Sequence, residues 1–172
     1  MMRQLRIAQL APVAAPVLSG STRSIEQLVW LLTEELVRRG HEVTLFGTGD
    51  SVTAARLRAV YPHSYENDEK LWNWRFHETM HAAAAFEEAD RFDVIHSHAY
   101  HYALPFTRLA RTPVVHSYHI LPNEDIARVY ARYPEAVVAA FSHYQRRAFP
   151  SHPNVEVIPH GVDTAAFPFN PE

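Results

Sequence analysis

The sequence has no cysteine, a single lysine, only five glycines and no long apolar run. Without cysteine there is neither a disulfide framework nor a thiolate metal site, and the absence suits a cytosolic and an exported protein equally. Few glycines exclude a dinucleotide fingerprint, because G-x-G-x-x-G needs three of them and the loop ahead of the first expected helix holds only Gly20. No segment approaches the roughly 18 uninterrupted apolar residues of a membrane span. Gln9, Pro12 and Pro16 break the mildly apolar stretch behind the basic start, so a first strand is expected there and not a signal peptide. Positive charge is also scarce: the net charge is -3, which gives no electrostatic footprint for nucleic acid and no basic patch for a membrane surface. Arginine outnumbers lysine fifteen to one, with no change in charge and no functional inference.

What is present is an ordinary globular composition, 47% apolar and 20% charged over 172 residues, enough for one core that buries roughly 70% of the unfolded surface. Short apolar runs recur at 6–10, 42–46, 92–96, 113–117, 137–141 and 155–158. They lack strict polar alternation, which suits strands covered on both faces of a parallel sheet. Residues 52–61 alternate and read as an edge strand. Helices are expected at 24–39, 67–90, 101–111, 123–132 and 143–149, so the whole is a doubly wound α/β pattern. The first helix is the clearest: Ile25, Leu28, Val29, Leu32 and Leu36 form one apolar face, Ser24 and Gln27 have capping-box spacing, and Arg38, Arg39 and Gly40 supply the stop. One domain is expected over 1–158. The stretch 159–172, with Pro159, Gly161, Pro168 and Pro171, reads as a loop on its way to something further.

Parallel strands present their C-terminal ends at one edge, where open α/β sheets bind ligands. The strand ends carry "HSHAYH", "HSYH", "SHYQRR" and "PHGVD", so His98, His119, Ser142 and His160 are expected to line one crevice. Histidine suits such a rim because its ordinary pKa near 6.5 lets it donate, accept or carry a proton at neutral pH. Before the first helix, "SGSTRS" places Gly20, Ser21, Arg23 and Ser24 where free N–H groups and the helix dipole favour an anion such as a phosphate; the hydroxyls serve equally well as plain caps. "HETMH" at 77–81 matches the zinc motif H-E-x-x-H, yet no third ligand is evident, so a zinc hydrolase is the weaker reading. At most two of His96, His98 and His101 are expected to meet one ion, and hydrogen bonding is the expected role. No metal and no cofactor are expected.

In this order, "LVWLLTEELVRRGHEVTLFGTGDS", "DVIHSHAYHYALPF", "TPVVHSYH", "VVAAFSHYQRR" and "NVEVIPHGVD" resemble the N-terminal half of family-4 glycosyltransferases, the retaining GT-B enzymes, over about residues 4–165. The resemblance implies a Rossmann-like three-layer sandwich with a mainly parallel sheet, one half of a GT-B fold, serving the acceptor. It implies that 159–172 links to a C-terminal donor domain, present in cis or in trans, where the donor-contacting motif lies. The partners implied are a nucleotide diphosphate sugar and a hydroxyl acceptor, with no nucleic acid; membrane association stays open and a cytoplasmic location is expected. By the same resemblance His119 lies against the transferred sugar as the catalytic residue, while His98, Ser142 and His160 serve substrate binding. One departure stands out: the family's paired glycines fall on Arg23 and Ser24, whose side chains crowd a phosphate, so either Gly20 replaces them through a shifted loop or that contact is lost. A domain alone is expected to be nearly inactive. The alternatives are a non-catalytic binding module, a subunit of a split glycosyltransferase, or a sugar-nucleotide epimerase.

Overall fold

The structure, a computed structural model, describes residues 3–66, 68, 70 and 73–164. Seven strands, β1 (Arg6–Leu10), β2 (Glu42–Gly47), β3 (Arg56–Ala59), β4 (Val94–Ser97), β5 (Val114–Ser117), β6 (Val137–Ala140) and β7 (Val155–Val157), form one sheet. Their order is β3-β2-β1-β4-β5-β6-β7, and every neighbouring pair is parallel. The helices are α1 (Ser24–Arg38), α2 (Trp74–Glu87), α3 (Glu124–Ala131) and α4 (His143–Arg146). This is the Rossmann-like α/β fold that the apolar runs imply.

Adjacent strand residues point to opposite faces. In β2, Leu45 packs with Val29 of α1, and Phe46 with Ala82 and Ala85 of α2, so the two helices cover opposite faces and make three layers. Val138 and Ala140 of β6 pack with Tyr130 of α3 and with Phe149. Fully burying one such Leu or Phe side chain contributes about 1.5–3 kcal/mol. Beyond β4, the face that carries α1 has no further helix among the described elements. There His96, Val115, Ala139 and Phe141 stand beside Leu28, Leu31 and Leu32 of α1 around a cavity of about 510 Å³.

Several local expectations change. The capping box does not form: Arg23 is the N-cap, without a side-chain cap bond, and Ser24 is the first helical residue. Ser21 Oγ accepts from Arg23 N at 3.2 Å instead, holding Arg23 extended while its side chain reaches Glu66. The expected helix at 101–111 is a 3-10 turn over Leu104–Arg108, since Pro105 is tolerated only at a helix start and Pro113 follows closely. Residues 143–149 give only the single turn of α4, cut short before Pro150. The long helix expected at 67–90 begins at Trp74, capped by Asn73, whose side chain accepts from Arg75 N; positions 67, 69, 71 and 72 lie outside the described residues. β3 is the expected edge strand. Of the expected linker, 165–172 lie outside the described residues. Among the described residues no helix is long and apolar enough to cross a membrane.

Candidate functional site

All seven strands end at one edge of the sheet, and three of those ends are tied together by a chain of polar side chains. Gln9 comes from β1, His98 from just past β4 and His119 from just past β5. His98 Nε2 lies 2.9 Å from Gln9 Oε1, and His98 Nδ1 lies 2.8 Å from His119 Nε2. Burial holds His98 well below the usual histidine range, and pushes His119 down to about 3, with His160 and His96 adding to the effect. Both rings are therefore neutral at pH 7, and a neutral imidazole has one N–H and one lone pair. The Gln9 carbonyl can only accept, so His98 Nε2 donates to it and His98 Nδ1 accepts from His119 Nε2. His119 is left with a lone pair on Nδ1, for which no partner exists among the described residues.

His98 is 1% exposed with both ring nitrogens engaged, whereas His119 is only partly covered. His119 stacks on Phe141 at 5.0 Å between centroids, and His160 lies 5.8 Å from it and also against Phe141. His96 is the next ring, 4.1 Å from His98, with its Nε2 2.8 Å from Ser117 Oγ; burial lowers it to about 4. The structure thus brings His98, His119 and His160 together. Ser142 is exposed and caps α4, its Oγ accepting from Gln145 N at 3.1 Å. His101 stays apart from this cluster, its ring packed on Tyr102.

Gln145 is a residue that sequence reasoning passes over. Its Nε2 donates to the carbonyls of Tyr118 (2.5 Å) and Ile120 (3.0 Å), one on each side of His119, and its Oε1 accepts from Phe141 N at 2.6 Å. One buried amide therefore fixes the backbone that carries His119 and the residue it stacks on. Gln145→Leu keeps the bulk and leaves three backbone groups bare, so a loss of about 2–4 kcal/mol in urea unfolding is expected. A change under about 0.5 kcal/mol, the range of an ordinary surface substitution, would show that the clamp contributes nothing.

The loop before α1 forms a second place. Gly20 takes the left-handed conformation (φ 71) and is exposed, as are Arg23 and Ser24. The Arg23 guanidinium is paired with the Glu66 carboxylate, so its charge is already met. Arg23, Ser24 and Glu66, together with Glu26, Tyr65, Trp74 and Tyr100, line a cavity of about 540 Å³, and Gly20 and Ser21 are not part of its wall. "HETMH" is divided: His77 stacks on Tyr61, while Glu78 and His81 are fully buried. Glu78 accepts from Val13 N and from the Tyr65 hydroxyl, and burial raises it to about 7. Among the described residues no three His, Cys, Asp or Glu side chains are grouped to hold a metal ion.

The model of Glycosyltransferase Family 4 matches residues 25–166. Among solved structures, a glycosyltransferase from Rickettsia africae ESF-5 is similar in fold, with a TM-score of 0.58 and 14% identity, over 96% of this chain and 45% of that one. The chain thus spans less than half the length of that structure. No curated protein matches it significantly.

Proposed function

The chain belongs to Glycosyltransferase Family 4, whose model covers most of it, and from that premise we propose that it is the acceptor-side half of a retaining transferase. The complete enzyme moves a sugar from a nucleotide diphosphate sugar to a hydroxyl acceptor without a metal. In this reading the bond from the sugar C1 to the diphosphate breaks, the acceptor oxygen takes its place on the same side of the ring, and the acceptor proton leaves with the nucleoside diphosphate. The observation that carries it is the Gln9–His98–His119 chain at the strand-end rim. A neutral imidazole there contributes a hydrogen bond to a hydroxyl of the transferred sugar, not a positive charge. Charge to stabilise the leaving diphosphate is the largest usual contribution to such a step. Arg23 is paired with Glu66, so that charge comes from a donor domain, in cis or in trans, entered through the segment after Ile158.

The sheet face beside α1, which no described helix covers beyond β4, is in keeping with this reading. Val137, Ile158 and Val162 are 40%, 57% and 68% exposed on or beside it, more apolar surface than a finished α/β face leaves open. His98 acts as a positioning residue for His119. In this reading His160 and Ser142 serve the substrate side, Arg23 and Ser24 belong to the wall of the second cavity, and Gly20 and Ser21 lead the chain into it.

The test is to read the coding sequence downstream of residue 172 and to assay the encoded protein for nucleoside diphosphate release from a panel of nucleotide sugars. Transfer with the anomeric configuration kept, and turnover at least ~10³-fold lower for the 172-residue chain alone, is expected. Inversion, or full activity of the chain alone, would overturn the reading.

A further inference from the structure

The second cavity has a largely buried carboxylate in its wall. Glu26, in the first turn of α1, is only 5% exposed and yet lines this space of about 540 Å³. Among the described residues its carboxylate has no side-chain hydrogen-bond partner; its own backbone N–H and the field of Arg23 are the favourable influences on it, and burial raises its pKa above the ordinary value. Its own backbone N–H and the N-terminal end of α1 hold the carboxylate from one side, and its place in the wall puts it within reach of a donor in the cavity.

Among the described lining residues Glu66 and Asp68 add two carboxylates, and the one cation, Arg23, is held by Glu66. Three aromatic rings, Tyr65, Trp74 and Tyr100, line the cavity beside Ala14, Ala15, Ser24 and Ile25, with Trp74 also in edge contact with Tyr102 and carrying Arg75 over its ring at 4.8 Å. Tyr100 is the one described non-glycine residue with positive φ, at 49°, a conformation that costs energy and sets the direction of its ring. Aromatic faces accept the C–H faces of a pyranose ring, and carboxylates accept hydrogen bonds from its hydroxyls or from an ammonium group. An anion meets three carboxylates and a guanidinium already in use.

We propose that this cavity is the acceptor subsite, and that the acceptor is a saccharide bearing no anionic group, held by hydroxyl or ammonium donors on Glu26 and by ring contact with Trp74, Tyr65 and Tyr100. The assignment rests on the acceptor-side reading above and narrows it to one substrate class. It also replaces the phosphate expected at "SGSTRS" by a neutral or amino sugar.

Two-dimensional NMR of the 172-residue chain tests it, with methyl glucoside, glucosamine and glucose 6-phosphate as probes at equal millimolar concentration. Methyl glucoside and glucosamine are expected to shift the Trp74 indole and the Glu26 amide, and glucose 6-phosphate to bind at least ~10-fold more weakly. Trp74→Ala should weaken the neutral sugar ~10-fold, and Glu26→Gln, which keeps the shape, should narrow the gap between glucose 6-phosphate and methyl glucoside to within ~3-fold. Equal or tighter binding of the phosphate by the unaltered chain, shifts confined to His96 and His160, or no shift with any probe would overturn the assignment. Product analysis on the joined two-domain protein separates this from the parent reading. Transfer onto a phosphorylated acceptor sinks the subsite and leaves the transferase standing, whereas no transfer to any acceptor sinks the transferase.

Discussion

On lowering the pH from 7 to 5, the protein is expected to lose most of its stability. Burial pushes His81 and His96 down to about 4, and His116 and His119 down to about 3. The same histidines titrate near 6.5 in the unfolded chain. A group whose native pKa lies below its unfolded value stabilises the native state fully at pH above that unfolded value, and the contribution is lost as the pH falls through the window from 6.5 toward 3. Each of these four imidazoles gives up about 2 kcal/mol by pH 5. Glu78 works the other way: its native pKa is raised to about 7, so it binds a proton in the native state first and returns about 2 kcal/mol over the same range. The net loss is on the order of 5 kcal/mol, set against a typical total of about 5–15 kcal/mol. Urea titrations followed by tryptophan fluorescence at pH 7, 6 and 5 should show the midpoint falling by more than half. His116→Leu removes one of the proton uptakes and should flatten the slope of unfolding free energy by up to ~1.4 kcal/mol per pH unit. A midpoint that holds steady down to pH 5 would mean that these rings are not buried as the structure has them.

Much of this architecture could be read from local pattern, because a strand covered on both faces must be apolar throughout and a helix on one face must repeat at 3.6. That is why the seven parallel strands, the edge position of β3 and the apolar stripe of α1 were legible, and with them the common rim of His98, His119 and His160. Features that depend on long-range pairing were not. Arg23 and Glu66 are 43 residues apart, and nothing in "SGSTRS" announces that its cation is occupied. Gln9 reads in sequence as a break in an apolar run, whereas in the structure it is fully buried and sets the orientation of His98, 89 residues away. Gln145 looks like one polar residue in the polar stretch "SHYQRR", and only the sheet shows that its amide reaches back to the strand before. A lone amide inside or just after a buried strand is a signal in its own right, since such a group must find partners. The short helices failed for a different reason: propensity favoured 101–111 and 143–149, and Pro105 and Pro150 overruled it.

His119→Ala in the complete two-domain enzyme is expected to lower kcat by about 10²–10³-fold, as losing one positioned hydrogen-bonding group at a reacting centre commonly does. The more discriminating variants act on the direction of the chain Gln9–His98–His119. The Gln9 carbonyl makes His98 donate from Nε2, which makes His98 accept at Nδ1, which makes His119 donate from Nε2 and present a bare Nδ1. Gln9→Leu frees His98 to take either tautomer, so half the argument for the orientation of His119 disappears, and kcat should fall ~10-fold with KM little changed. His119→Asn places an amide oxygen near the position of Nδ1 and gives up the bond to His98, so its activity should lie between the parent and the alanine variant. Because His119 is neutral down to about pH 3, none of these substitutions should move an ionisation in the kcat/KM profile between pH 6 and 8. An arm of that profile near 6.5 that vanishes in His119→Ala would show that the imidazole cycles a proton during turnover, and the hydrogen-bonding role assigned to it would have to be given up. A purely structural role predicts something else again: activity would then fall only in proportion to stability across the three variants, whereas His119, partly buried at the rim, should cost about 1–3 kcal/mol in urea unfolding when replaced by Asn or Ala alike, through the bond lost to His98, while kcat separates the two.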